Sequence, residues 1–213
     1  MITCRAAITD GKGRYCIDEI QVADPAEDEV LIKIKAAGLC HTDYDSLNWG
    51  KPLILGHEGA GIVEKVGLKV NHVKPNDRVL LNWAIPCMDC FQCNLGNYHI
   101  CETSSPVTGL GHSTNLGHAH PDGCLYKKGQ IERSFNLGTI SEYTLVKAAA
   151  VNKIKLENLP FECAAIIGCG VMTGYGSVIN AGKVKPGSSV VVLGSGGVGF
   201  KELRSIKRRR SSP

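Results

Sequence analysis

The sequence predicts a mostly β fold with an α/β ending: a partly open β-barrel over roughly the first 150 residues, then the first strand of a truncated parallel unit. Three observations predict it. Short alternating runs are punctuated by Gly and Pro turns, convincing helices are few before Leu159-Pro160, and a Val-rich run near its end leads straight into a glycine cluster.

The elements follow in order. Val30 to Ala36 alternates as a strand with one buried face, and Ala60 to Val66 reads as another, ended by Gly67. Lys74-Pro75-Asn76-Asp77 is a turn signal, followed by the strand Arg78-Val79-Leu80-Leu81. Thr108 to Gly138, rich in Gly and His, reads as loops, and Ser141 to Val146 alternates again. From Phe161 to Ala181 apolar residues recur at helical spacing, although Gly168, Gly170, Gly174 and Gly176 argue against one continuous helix. After the Lys185-Pro186-Gly187 turn, Ser189 to Leu193 has the unbroken apolar character of a buried parallel strand.

Composition bounds the function. At 213 residues, 43% hydrophobic and 21% charged, the chain is that of a globular protein. Its formal charge of +4 is uneven: residues 201–213 hold six Lys or Arg against one acid, Glu202, leaving 18 basic and 19 acidic residues, net −1, in 1–200. A near-neutral body suggests no nucleic-acid partner. No secretory signal or membrane-length apolar run is visible. Ten cysteines without such a signal point to a reducing compartment, with the cytoplasm as the expectation.

Cys87, Cys90, Cys93 and Cys101 fall within fifteen residues as C-x2-C-x2-C-x7-C. Thiolates at this spacing can wrap one tetrahedral zinc without long-range folding, and four sulfurs leave no corner for substrate, so such a zinc is structural. Free thiols, two disulfides or an iron–sulfur cluster are the other uses of the pattern.

Taken in order, Gly38-Leu39-Cys40-His41-Thr42-Asp43, Gly56-His57-Glu58-Gly59-Ala60-Gly61, the four cysteines, Ile167-Gly168-Cys169-Gly170 with Thr173-Gly174-Tyr175-Gly176, and Gly194-Ser195-Gly196-Gly197-Val198-Gly199 resemble the zinc-dependent medium-chain alcohol dehydrogenases. The Cys40-His41-Thr42 wording is nearest to the class III-like and bacterial members. The resemblance implies a GroES-like catalytic domain over 1–160, a connecting helix and the start of a Rossmann NAD-binding domain over 161–200, and an off-pattern basic tail over 201–213.

It also implies a second, catalytic zinc on Cys40, His57 and Cys169, which lie 17 and 112 residues apart in sequence. Three protein ligands leave a corner for a substrate oxygen, whose pKa the ion lowers so that hydride can pass to NAD. By the same resemblance Thr42 relays the proton, Asp43 orients the His57 imidazole, Glu58 lies near the metal, and His41 contacts the cofactor pyrophosphate. Asp45 stands where many members carry the outer histidine of the relay. Thr173, Gly194, Gly196, Gly197, Val198 and Gly199 are the remaining cofactor-binding candidates, the glycines allowing backbone approach to the pyrophosphate.

After Phe200 the pattern breaks. The tail lacks the apolar stripe of a helix that packs on a sheet, as an out-of-frame terminus would. The expected partner is a small-molecule alcohol or aldehyde, with a homodimer expected of the full-length family. The expected activity is oxidation of a primary alcohol or a formaldehyde–thiol adduct, impaired by the truncation. The rival expectation is a catalytically silent zinc-binding fragment or interaction module.

Overall fold

A computed structural model describes residues 1–103, 123–127 and 129–210. Eleven strands are described: β1 Ile2–Thr9, β2 Tyr15–Val22, β3 Glu29–Gly38, β4 Leu53–Ile54, β5 Glu58–Val66, β6 Arg78–Leu81, β7 Cys124–Tyr126, β8 Gly129–Gln130, β9 Glu132–Arg133, β10 Tyr143–Lys147 and β11 Val151–Lys153. The α-helices are α1 His41–Ser46, α2 Phe91–Asn94, α3 Phe161–Ala165, α4 Gly170–Gly176 and α5 Gly197–Arg210.

One sheet runs β8-β7-β2-β1-β4-β9 and the other β10-β3-β5-β6-β11. An antiparallel bridge between Ala6 and Ser141 joins them, giving the partly open barrel that the alternating runs predict. The core sits on both faces of the second sheet. Val30 and Ile32 enter one cluster with Val79, Leu81 and Val146, while Leu31 enters the other with Ile20, Ile54 and Leu145. The expectation of one buried face for β3 is thereby corrected over residues 30–32, all 0% exposed. The cause is that the first sheet covers the outer face, so an unbroken apolar run is needed there rather than an alternating one.

Small residues bring the last part of the chain against this sheet. Ala60 in β5 packs on Ala164 and Ala165 of α3. The Arg78 guanidinium lies 4.6 Å from the Phe161 ring centroid and donates to the carbonyls of Glu157 and Leu159, fastening the entry to α3. The helical spacing over 161–181 is broken as the glycines foretell: α3 passes into a 3-10 turn, bends by 51° near Cys169, and resumes as α4 and a π turn. No single helix among the described residues is long and apolar enough to cross a membrane; this bent pair meets the test only by length and composition.

Two expectations are corrected, for residues 189–193 and 108–138, and the tail takes a form that was not named. Ser189 to Leu193 forms no strand, and Val191 and Leu193 are 84% and 94% exposed, because a parallel strand needs neighbours and the described residues offer none. The basic tail is helical: α5 runs through residues 201–210, built from good helix formers and burying Ser205 and Ile206 beside α4 instead of against a sheet. Within 108–138, residues 108–122 and 128 lie outside the described residues, and the rest holds β7, β8 and β9, too short for an alternation to register.

Candidate metal and active site

The structure brings Cys40, His57, Glu58 and Cys169 together, with one ligand atom from each within 4.8 Å of all the others. Each arrives by a different local device. Cys40 is the residue before α1, in extended conformation, and its backbone N–H donates to Asp43 Oδ2 at 2.9 Å, three residues into the helix. This is a capping box with Cys in the place usually taken by Ser or Thr. His57 follows Gly56, whose φ of +98° and close approach to Ile140 admit no side chain. Glu58 begins β5, and a Cβ at Gly38 across the ladder would lie 1.9 Å from its Oε2. Cys169 occupies the bend before α4.

Hydrogen bonds fix the orientations. Asp43, 6% exposed, faces His57 Nδ1 through Oδ1 at 3.0 Å, so one buried carboxylate holds both His57 and the Cys40 backbone. Glu58 Oε1 accepts from the Gly170 N–H at 3.0 Å, tying β5 to the first residue of α4. Thr42 Oγ1 is 3.7 Å from Cys40 Sγ. Burial works against a charged His57, but Asp43 and Cys169 outweigh it and raise its pKa to about 10. Burial likewise pushes the Cys40 thiol up, yet the Thr42 N–H and hydroxyl and the His57 ring bring it below its ordinary value. The two shifts are reciprocal: the Asp43 carboxylate and the Cys169 sulfur favour a charged His57, and a charged His57 with the Thr42 donors favours a Cys40 thiolate.

An aromatic wall stands on one side. Phe135, itself at φ 50°, packs its ring 4.7 Å from His57, 5.5 Å from Trp83 and 5.9 Å from Trp49. Both tryptophans of the chain are therefore gathered around one residue beside the imidazole. Trp83 Nε1 is buried without a hydrogen-bond partner among the described residues. Trp83 and Phe135 sit in short irregular segments with no periodic signal, and the sequence reading named neither.

The second cluster is Cys87, Cys90, Cys93 and Cys101, whose sulfurs all lie within 4.8 Å of one another. Cys87 and Cys93 sulfurs are 3.9 Å apart, as are those of Cys90 and Cys101. Sulfurs about 2.3 Å from a tetrahedral ion stand about 3.8 Å apart, so the four thiols fit zinc. N–H groups of Asp89 and Cys90 point at Cys87 Sγ and bring its pKa down to about 6, whereas burial pushes Cys93 up to about 12. One thiol ionises readily and its neighbour resists, a conflict that a shared cation relieves.

The remaining candidates are more dispersed. His41 is exposed and lies 3.6 Å from Asp45, also exposed. Thr173 is exposed on α4. Gly194, Gly196, Gly197, Val198 and Gly199 form a loop and the first turn of α5. Gly199 abuts the Gly194 carbonyl, and the Val198 carbonyl lies against Gly174 of α4.

Residues 26–156 match the family model described as the alcohol dehydrogenase GroES-like domain. Among curated relatives, the chain is 38% identical over 209 residues to alcohol dehydrogenase class-3 of Drosophila melanogaster, covering 94% of this chain and 53% of that one. The chain thus spans about half the length of the curated relatives it matches. Among solved structures, benzyl alcohol dehydrogenase from Acinetobacter calcoaceticus superposes with a TM-score of 0.84 at 32% identity, over 100% of this chain and 57% of that one. A cobalt- and zinc-bound thermostable alcohol dehydrogenase from Pyrobaculum aerophilum does so with a TM-score of 0.75 at 27% identity, over 98% and 57%.

Proposed function

Since the chain belongs to the alcohol dehydrogenase family through its GroES-like domain, we propose that it carries the zinc-dependent catalytic site of an enzyme that oxidises a primary alcohol, or a formaldehyde–thiol adduct, with NAD. The observation that carries this reading is the convergence of Cys40, His57 and Cys169 from three distant stretches, one ligand atom of each within 4.8 Å of the others. Two thiols and an imidazole are a donor set suited to zinc, and Cys87, Cys90, Cys93 and Cys101 would hold a second, structural ion. When bound, zinc supplies a Lewis acid that lowers the pKa of an alcohol hydroxyl, and NAD supplies the hydride acceptor.

The chain's own residues do the rest. Asp43 fixes the His57 ring so that its other nitrogen faces Cys40 and Cys169. Glu58 stands within reach of the same point and is restrained by Gly170, which makes it an exchangeable neighbour of the three ligands. Thr42, beside Cys40, accepts and passes on the substrate proton. Asp45, exposed and paired with His41, offers an outward path in place of the family's histidine. Phe135, Trp83 and Trp49 shield the imidazole and exclude water. Gly194 to Gly199, with the N-terminal turn of α5, would take the cofactor pyrophosphate. We place the protein in the cytoplasm, where its ten cysteines, none of them in a disulfide, stay reduced.

Zinc content beside turnover tests the proposal. Purified protein is expected to hold two zinc ions per chain, Cys40→Ser and Cys87→Ser one each, and only Cys87→Ser to keep the mixed site. Reduction of NAD by a primary alcohol in the full-length relative of this chain must vanish with Cys40→Ser. Full zinc content in both variants, or turnover that survives Cys40→Ser, refutes it.

A further inference from the structure

A cavity of about 610 Å³ lies between α4, α5 and the edge formed by β6 and β11. Its volume is that of a small-molecule site. Residues 201, 204 and 205 share one face of α5 at i, i+3 and i+4, and they bring Lys201, Arg204 and Ser205 into the wall. Lys201 and Arg204 each lie 5.8 Å from the Phe200 ring centroid, and among the described residues neither rests on a carboxylate. The wall also holds Asn152 of β11 and Asn82, the residue that follows β6, with Tyr175 from α4. Asn82 Oδ1 already accepts from the Ala84 N–H at 3.0 Å, which leaves its amide hydrogens to donate. No lining residue is acidic, and the floor beside Val171 and Met172 is apolar.

We propose that this cavity binds a phosphate monoester with an apolar body, the phosphate held by Lys201 and Arg204 and the amides of Asn82 and Asn152, the body resting on α4. The guanidinium fork and the ammonium together match a dianion in charge and in donor geometry. Low-dielectric walls of one sign of charge concentrate such a ligand. A neutral alcohol has no group that answers two cations, so this is a different ligand from the one assigned to the mixed Cys/His site, and the proposal stands without that assignment.

The test is calorimetric titration of the zinc-loaded 213-residue chain with phenyl phosphate, inorganic phosphate and phenol. Saturable binding of phenyl phosphate is expected with a Kd of about 1 mM or tighter, weakening as salt rises, with inorganic phosphate weaker and phenol silent. Lys201→Ala with Arg204→Ala is expected to weaken binding by about tenfold or more, the scale of lost charge-assisted hydrogen bonds. Asn152→Asp, at an exposed strand position away from α5, is expected to do the same by repulsion and keeps the test decisive if the double variant misfolds. Absence of saturable binding overturns the proposal. So does binding untouched by Asn152→Asp, which places the anion on zinc or elsewhere, and equal affinity for the two phosphates overturns the ester assignment.

Discussion

Replacing Asp43 by Asn changes one atom in the buried carboxylate that serves both His57 and Cys40, and its effect can be worked from the structure. The carboxylate offers Oδ1 to His57 Nδ1 at 3.0 Å and Oδ2 to the Cys40 N–H at 2.9 Å. An amide keeps a single acceptor, so one of the two N–H groups meets an NH2 instead, in a place only 6% exposed. Loss of a hydrogen bond to a charged group costs about 1.5–3 kcal/mol. Loss of the partner that orients a ligating imidazole lowers metal affinity by roughly 10–100-fold, about 1.4–2.8 kcal/mol. The two estimates agree. The assay is zinc retained per chain against a graded chelator, with the four-cysteine ion as an internal reference. One release step is expected to move to roughly 10–100-fold weaker chelation while the other stays in place. Release of both ions at wild-type chelator strength, or an equal shift of both, contradicts the reasoning.

Three further outcomes are expected. Ile32→Ala, at a fully buried position in the second sheet, should lower unfolding free energy by about 2–5 kcal/mol in urea titration; a loss under about 1 kcal/mol would mean the position is not packed as described. Acid should destabilise the fold below about pH 4. Lys65 holds Asp24 down to about 2, and Lys153 and Arg5 hold Asp77 and Glu142 below their ordinary values. These folded-state pKa values lie below the unfolded ones, so their stabilisation is complete above the unfolded pKa and fades as pH falls through the folded one. Urea midpoints that rise toward pH 2 would reverse the sign. NAD retention by the 213-residue chain should be weak in equilibrium dialysis, because the run leading into Gly194 has no partner strand among the described residues to hold the glycine loop; retention at micromolar NAD would contradict this.

What was legible in the sequence divides along physical lines. The strands at 30–36, 60–66 and 78–81 announce themselves because each buries at least one face and ends at a turn residue. β1 and β2 went unnamed: five of the eight β2 residues are exposed, and its pairing with β1 is a fact of the fold that no local pattern carries. The four cysteines were readable because their ligands are local. Cys40, His57 and Cys169 were not, since only the packing of α3 on β5 carries Cys169 to the other two; the family resemblance supplied that set, and the geometry gathers it. Glu58 came from the same source, but its bond to Gly170 is visible only in three dimensions. The tail is a separate case. Its composition reads as out of place, yet Leu, Lys and Arg have the propensity to extend a helix begun at Gly197, and Ile206 finds burial beside α4.

The central claim is that two thiols and an imidazole, separated along the chain, hold one metal ion while four neighbouring thiols hold another. X-ray absorption at the zinc edge of the fully loaded protein reports the mean ligand set directly. Six thiolates shared by two ions predict a mean of three sulfurs per zinc, with a nitrogen contribution from a single imidazole. A shell of four sulfurs with no nitrogen, in protein holding one zinc per chain, would show that Cys40, His57 and Cys169 bind no metal.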